Sequence, residues 1–230
     1  MEFIVNCYNK IDLKLSWEGK MMKTIRKTAI VMLLCVYFLT YGVLPQVEAG
    51  KDTPVIVVAH RAGAKVAPEN TLAALEQAIR DGVPIAEIDV QQLSDGTLIV
   101  MHDSNFKRTA GEDVCVWDTE ADVLSTLEVG SAFSAAYRGE QIPTLEEMLA
   151  CAGGRITLMI ELKYTGQEQE LEESVLALLQ EYDMVGECII GSMNKGILQR
   201  VKELEPDIST VYIAHDLGED DYDLDYADSY

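Results

Sequence analysis

From residue 55 onward, short β-rich apolar runs alternate with stretches whose apolar residues recur at helical spacing. This alternation limits the fold more than any other feature. The run at 55–59 reads as a buried strand. Residues 71–80 carry Leu72, Leu75, Ala78 and Ile79 at helical spacing, with Asn70 as N-cap and Gly82 as the stop. Further strands are expected at 85–90, 97–101 (entered through the Asp95-Gly96 turn), 155–163, 187–192 and 208–214. Helices are expected at 142–153, with Pro143 near the start, and at 168–181 and 193–204. Repeated strand–helix units imply right-handed crossovers and a parallel sheet, either doubly wound or closed as a (β/α) barrel. Residues 104–141 lose clear periodicity and interrupt the series.

Composition narrows the function. With 230 residues, 48% hydrophobic and 25% charged, the chain suffices for one sizeable domain with its own core. Its formal charge of -21 argues against nucleic acid, which needs clustered Lys and Arg. Part of that charge sits at 218–230, which reads as a solvated acidic tail or a truncated continuation of the domain. The five cysteines are scattered without a CxxC pair, so they suggest neither a disulfide framework nor a zinc site and read as small core hydrophobes.

The first twenty residues are an uncertain leader. Residues 21–49 read as a signal peptide or membrane anchor: Lys23, Arg26 and Lys27 precede an uncharged run at 28–46 and the small-residue site Val47-Glu48-Ala49. Either reading makes the domain extracytoplasmic, secreted or anchored through 28–46, because the basic flank stays in the cytoplasm. A linker at 50–54 then leads into a domain at 55–217.

Four expected strands end on polar residues that packing would not select. The first ends on His60-Arg61, the second gives Glu87 and Asp89, the third His102-Asp103, and the fourth Glu161 and Lys163. A strand's period of two places Glu87 with Asp89, and Glu161 with Lys163, on one side. Taken singly, such pairs are commonly solvated faces or edge ion pairs. At successive strand ends of a barrel they converge on one mouth. Three carboxylates in one cleft need a cation, and without thiolates they suit a hard ion, Mg²⁺ or Ca²⁺. Histidines suit proton transfer near neutral pH, and Arg61 and Lys163 suit a phosphoryl group. His215, in a second His-Asp dipeptide, reads as a loop residue. Trp117 and Phe133 read as a minor core of the 104–141 segment.

The blocks "HRAGAKVAPENT", "AEIDVQQLSDGTLIVMHD" and "IELK", supported by "IPTLEEML", resemble the signature of the glycerophosphodiester phosphodiesterase family in order and separation. The resemblance runs from about residue 55 to at least 192. It implies a TIM (β/α)8-type barrel of the phospholipase C-like superfamily, with a small insertion after strand three matching 104–141. The chain ends soon after the sixth strand, so the barrel is expected to be truncated there.

Position by position, the resemblance implies Glu87, Asp89 and Glu161 as ligands of Ca²⁺ or Mg²⁺, and His60 and His102 as the acid/base pair. Arg61 and Lys163 would contact the substrate phosphate, and Glu69 and Asp103 would fix the loop and orient His102. The implied reaction converts a small-molecule glycerophosphodiester to glycerol 3-phosphate and an alcohol. A lysophospholipid phosphodiesterase, and an inactive or vestigial binding fragment, stand as alternatives. Ala62 departs from the family's usual glycine after His-Arg and would be strained if its φ is positive.

Overall fold

The computed structural model describes residues 56–214. The N-terminal basic and uncharged segments, Cys7, Cys35, His215 and the acidic stretch at 218–230 lie outside the described residues. Among the described residues, no helix is long and apolar enough to cross a membrane.

Six strands form one sheet: β1 (Val58–Ala59), β2 (Ile85–Gln92), β3 (Leu98–Val100), β4 (Thr157–Leu162), β5 (Cys188–Ser192) and β6 (Ser209–Tyr212). The order β1-β2-β4-β5-β6 is parallel throughout, as in successive staves of a (β/α) barrel. Among the described residues, the four helices longer than one turn are α1 (Leu72–Arg80), α2 (Leu145–Ala152), α3 (Leu171–Glu181) and α4 (Lys195–Leu204). Thr144 starts α2 with a reciprocal capping box to Glu147, and Gly153 ends it in a left-handed conformation.

Strand alternation sorts the side chains into two populations. Ile88 and Val90 of β2, Leu158, Ile160 and Leu162 of β4, and Ile190 of β5 are buried in one apolar core. Leu75, Leu149, Val175, Leu179, Leu198 and Val201 from the four helices join them there. Truncating a residue such as Leu75 or Ile160 to alanine costs about 2–5 kcal/mol, from lost transfer energy plus the cavity left behind. The intervening residues of β2 and β4, including Glu87, Asp89 and Glu161, point to the opposite face.

Several local readings need correction. Only Val58 and Ala59 of the first apolar run pair with the sheet, while Ile56 and Val57 are exposed. β3 breaks the parallel series by folding back antiparallel onto β2, with Val90 opposite Val100 and Gln92 opposite Leu98. The Asp95-Gly96 turn is therefore the tip of a hairpin. Thr71 rather than Asn70 caps α1, its hydroxyl accepting from the Ala74 N–H.

The insertion builds a second core from Phe106, Val116, Leu124, Leu127, Val129 and Ile142, with Leu93, Ile99 and Met101 of the hairpin. Neither aromatic expected in that core belongs to it. Trp117 is half-buried, and Phe133 is exposed with its ring edge-on to Tyr137. Gly130 is obligatory there, since a Cβ would collide with the Tyr137 carbonyl oxygen. Among the described residues the cysteines are free, Cys188 buried and Cys115 and Cys151 half-buried.

Candidate active site

Register brings the acidic residues together. Asp89 of β2 lies directly across from Glu161 of β4, and Glu87 stands one pleat earlier on the same face. Glu87, Asp89 and Glu161 are 4%, 1% and 8% exposed. One carboxylate oxygen from each lies within 4.8 Å of the other two. Lys163, one pleat beyond Glu161, bends back so that Nζ is 2.7 Å from both Asp89 Oδ1 and Glu161 Oε1.

The segment after β1 supplies the next wall. His60–Ala62 makes a tight turn in which Arg61 and Ala62 have φ of 51° and 59°. This aims the Arg61 backbone N–H at Glu87 Oε2, 2.6 Å away, and leaves His60 Nε2 4.0 Å from the same oxygen. With φ of 59°, Ala62 carries the strain expected of a non-glycine residue there, and its methyl is fully buried. Arg61 Nη1 donates to Glu69 Oε1 at 3.0 Å, and its Nε lies 4.0 Å from Asp89 Oδ2.

Asn70, the expected cap, instead holds a metal-ligand candidate. Its backbone is left-handed, its amide donates to Asp89 Oδ2 at 2.8 Å, and its carbonyl oxygen accepts from the Asp89 N–H at 3.3 Å. Gln91 is a second residue that sequence reasoning missed. Buried in the β2 arm of the hairpin opposite Ile99, it donates from Nε2 to the carbonyls of Met101 (2.7 Å) and Asp103 (2.8 Å), bracketing His102. The Met101 N–H donates to the Asp89 carbonyl at 2.8 Å. The antiparallel return of β3 thus brings His102 back to the level of the carboxylates. A long polar residue continuing the Glu87-Asp89 alternation was the one signal in sequence for Gln91.

His102 Nδ1 is 2.8 Å from Asp103 Oδ1. Asp103 in turn accepts two hydrogen bonds from Arg108, Nε to Oδ2 at 2.6 Å and Nη2 to Oδ1 at 3.0 Å. Arg108 also forks onto Glu69, at 2.9 and 2.6 Å. The residues expected to bind metal, transfer protons, contact phosphate and support them (His60, Arg61, Glu69, Glu87, Asp89, His102, Asp103, Glu161 and Lys163) are thus brought into one constellation, and Asn70, Gln91 and Arg108 are added to it.

The protonation chemistry divides the carboxylates. Burial, reinforced by the Asp89 charge, pushes the Glu87 carboxyl up to about 8. Burial also raises Glu161, against the pull of Lys163. Asp89 feels the same burial, but Lys163 and Asn70 outweigh it and hold its carboxyl below the ordinary range. The hydrogen bonds from Arg108 pull Asp103 down to about 2. Burial and the neighbouring Arg61 lower His60, favouring its neutral imidazole.

The acidic cluster fits a hard divalent cation on two grounds. All donors are carboxylate oxygens, and Glu87 Oε1 is buried without a hydrogen-bond partner. A buried acceptor left unpaired costs about 1–3 kcal/mol, which a cation at that point would offset.

A family model for the glycerophosphoryl diester phosphodiesterase family matches residues 60–228. The chain belongs to this family. A glycerophosphodiester phosphodiesterase of Bacillus subtilis is 32% identical over 209 residues, covering 82% of this chain and 71% of its own. One from Caldanaerobacter subterraneus is 36% identical over 157 residues, covering 66% and 63%. Among solved structures, the Oleispira antarctica phosphodiesterase in complex with the product sn-glycerol-3-phosphate has a TM-score of 0.66 at 31% identity, over 71% of this chain and 68% of that one. The glycerophosphodiester phosphodiesterase of Agrobacterium tumefaciens gives 0.62 at 30%, over 67% and 64%. The chain thus spans about two thirds of the length of these relatives. The six-strand α/β sheet is the barrel framework of this family, and its buried acidic cluster can hold a metal ion.

Proposed function

We propose that the chain hydrolyses glycerophosphodiesters to glycerol 3-phosphate and an alcohol. One observation carries this reading: the buried Glu87–Asp89–Glu161 cluster shares its cleft with two histidines and two cations at the ends of β1, β4 and the hairpin. The product held by the Oleispira antarctica relative supports a glycerol phosphate occupant.

Arg61 and Lys163 bind the phosphoryl oxygens. The Arg61 Nε–H, buried and without a hydrogen-bond acceptor, is the donor available to one of them. Glu87, Asp89 and Glu161 hold a divalent cation, Ca²⁺ or Mg²⁺. When bound, that ion supplies Lewis-acid charge and a template for the phosphate and glycerol oxygens.

His60, kept neutral, accepts the proton of the attacking hydroxyl, whether of water or of the neighbouring glycerol carbon. His102 gives a proton to the departing alcohol as its P–O bond breaks. Asp103, acceptor-only because Arg108 keeps it ionised, takes a hydrogen bond from the His102 Nδ1–H and leaves Nε2 to exchange the proton. The uncharged run at 28–46 behind its basic flank supports delivery of this activity outside the cytoplasmic membrane.

The test is release of glycerol 3-phosphate from glycerophosphocholine with added Ca²⁺ or Mg²⁺. Turnover that disappears on chelation supports the reading; a folded protein that binds the ion without turnover overturns it.

A further inference from the structure

Glu69 and Asp103 come from separate segments of the chain, one before α1 and one after the hairpin. Glu69 holds Arg61, and Asp103 holds His102. A single guanidinium joins them: Arg108, on the one-turn helix Lys107–Ala110 that opens the insertion, makes two hydrogen bonds to each carboxylate. The chain therefore runs His102–Asp103–Arg108–Glu69–Arg61, from one proton-transfer group to one phosphate-binding group. Arg61 holds Glu69 by one oxygen, whereas Arg108 occupies both oxygens and fixes the plane of the carboxylate.

We propose that Arg108 is a positioning residue for the reaction, setting the tautomer of His102 through Asp103 and the reach of Arg61 through Glu69. This inference rests on the hydrolase reading above. Arg108 acts through its two carboxylates and exchanges no proton. A fork that presents parallel N–H groups to two carboxylates at once is a property of guanidinium and not of ammonium, so lysine cannot replace it.

The chain has three histidines, so ¹⁵N-histidine labelling of the full protein gives a spectrum in which His102 is assigned by its loss in His102→Gln. In its neutral form the parent's His102 should carry its proton on Nδ1 and leave Nε2 bare, the position that takes up the second proton before it is given to the departing alcohol. Arg108→Ala should collapse this into an average of the two tautomers, and Arg108→Lys should do the same while keeping the parent melting temperature. On glycerophosphocholine, Arg108→Ala should lower kcat about 10- to 100-fold and raise KM, as loss of a residue orienting an active-site group does. The kcat loss should not multiply with that of Asp103→Asn, because both remove one link of one chain.

An unchanged His102 spectrum in either Arg108 variant overturns the proposal, as does a kcat loss that multiplies in the double variant. If Arg108→Ala does not fold, Arg108→Lys decides by the same spectrum. If the parent shows no turnover, the hydrolase reading fails, yet the tautomer measurement still decides whether Arg108 positions His102.

Discussion

Two sets of carboxylates share this site and behave in opposite ways. Glu69 and Asp103 meet the forked guanidinium of Arg108 and are held in their ionised forms, below the ordinary range. Asp89 and Glu161 share the single ammonium of Lys163 at 2.7 Å, Arg61 and His60 stand off at 4.0 Å from Asp89 and Glu87, and burial lifts the Glu87 and Glu161 carboxyls. The residue type is the same, and the difference lies in the supply of positive charge. Where the protein provides its own cation, the carboxylates serve as struts. Where it leaves a deficit in a buried place, the carboxylates are fitted to an outside cation.

The largest effect should separate ion binding from proton transfer. His102→Ala should reduce kcat by at least about 100-fold, the scale of a lost acid/base group, with calorimetric Ca²⁺ or Mg²⁺ affinity nearly unchanged. Glu87→Ala should lose affinity and turnover together. Equal loss of ion affinity in both variants would dissolve the distinction between the two carboxylate sets.

The next effect is a pH dependence of opposite sign in the two sets. The Glu87 carboxyl titrates near 8 when folded, against an ordinary 4.5. The folded state therefore keeps a proton that the unfolded state gives up. Stability in the presence of chelator should fall as pH rises from about 4.5 to 8, seen as a declining Tm. Glu87→Gln or saturating Ca²⁺ should flatten that decline, and a flat profile in the parent would refute the deficit at Glu87.

Asp103 should show the reverse. Its folded value near 2 lies below the ordinary 3.8, so its contribution is complete above 3.8 and is lost as pH falls toward 2. Because Arg108 is 48% exposed, solvent screening should keep that contribution to about 1 kcal/mol or less. Acid titrations of the parent and Asp103→Asn measure it, and identical acid limbs would remove Asp103 from the account.

The smallest effect concerns Ala62, in the turn that carries Arg61 toward both sets. Replacing it with glycine relieves a left-handed alanine, worth about 1 kcal/mol, but removes a buried methyl worth about 0.8 kcal/mol. Urea unfolding of Ala62→Gly should therefore agree with the parent to within about 0.5 kcal/mol. A gain above about 1.5 kcal/mol would show that strain dominates, and a comparable loss that packing does.

The strand ends were legible because two rules acted together: alternation placed Glu87 with Asp89 and Glu161 with Lys163, and parallel order placed those pairs side by side. The direction of β3 was readable in principle, since Asp95-Gly96 between apolar runs is a hairpin signal, but the regular strand–helix series suggested another parallel strand. Asn70 and Thr71 both suit a helix cap. Only the left-handed backbone of Asn70, set by the turn before it, assigns the cap to Thr71 and frees the amide for Asp89. Arg108 was hidden for a different reason: Glu69 lies 39 residues away, and no local pattern joins a basic residue at the start of an insertion to a carboxylate in a loop.

β3 has one further consequence. Of its three residues and the one that follows, Leu98 and Val100 belong to the main core, while Ile99 and Met101 belong to that of the insertion. The strand is a party wall, leaned on from both sides, and His102 is the next residue along. Repacking either interior displaces the wall, and the imidazole moves with it. The insertion thereby gains mechanical leverage over the reacting centre through its packing as well as through Arg108, and the filling of its core becomes a means of tuning the site.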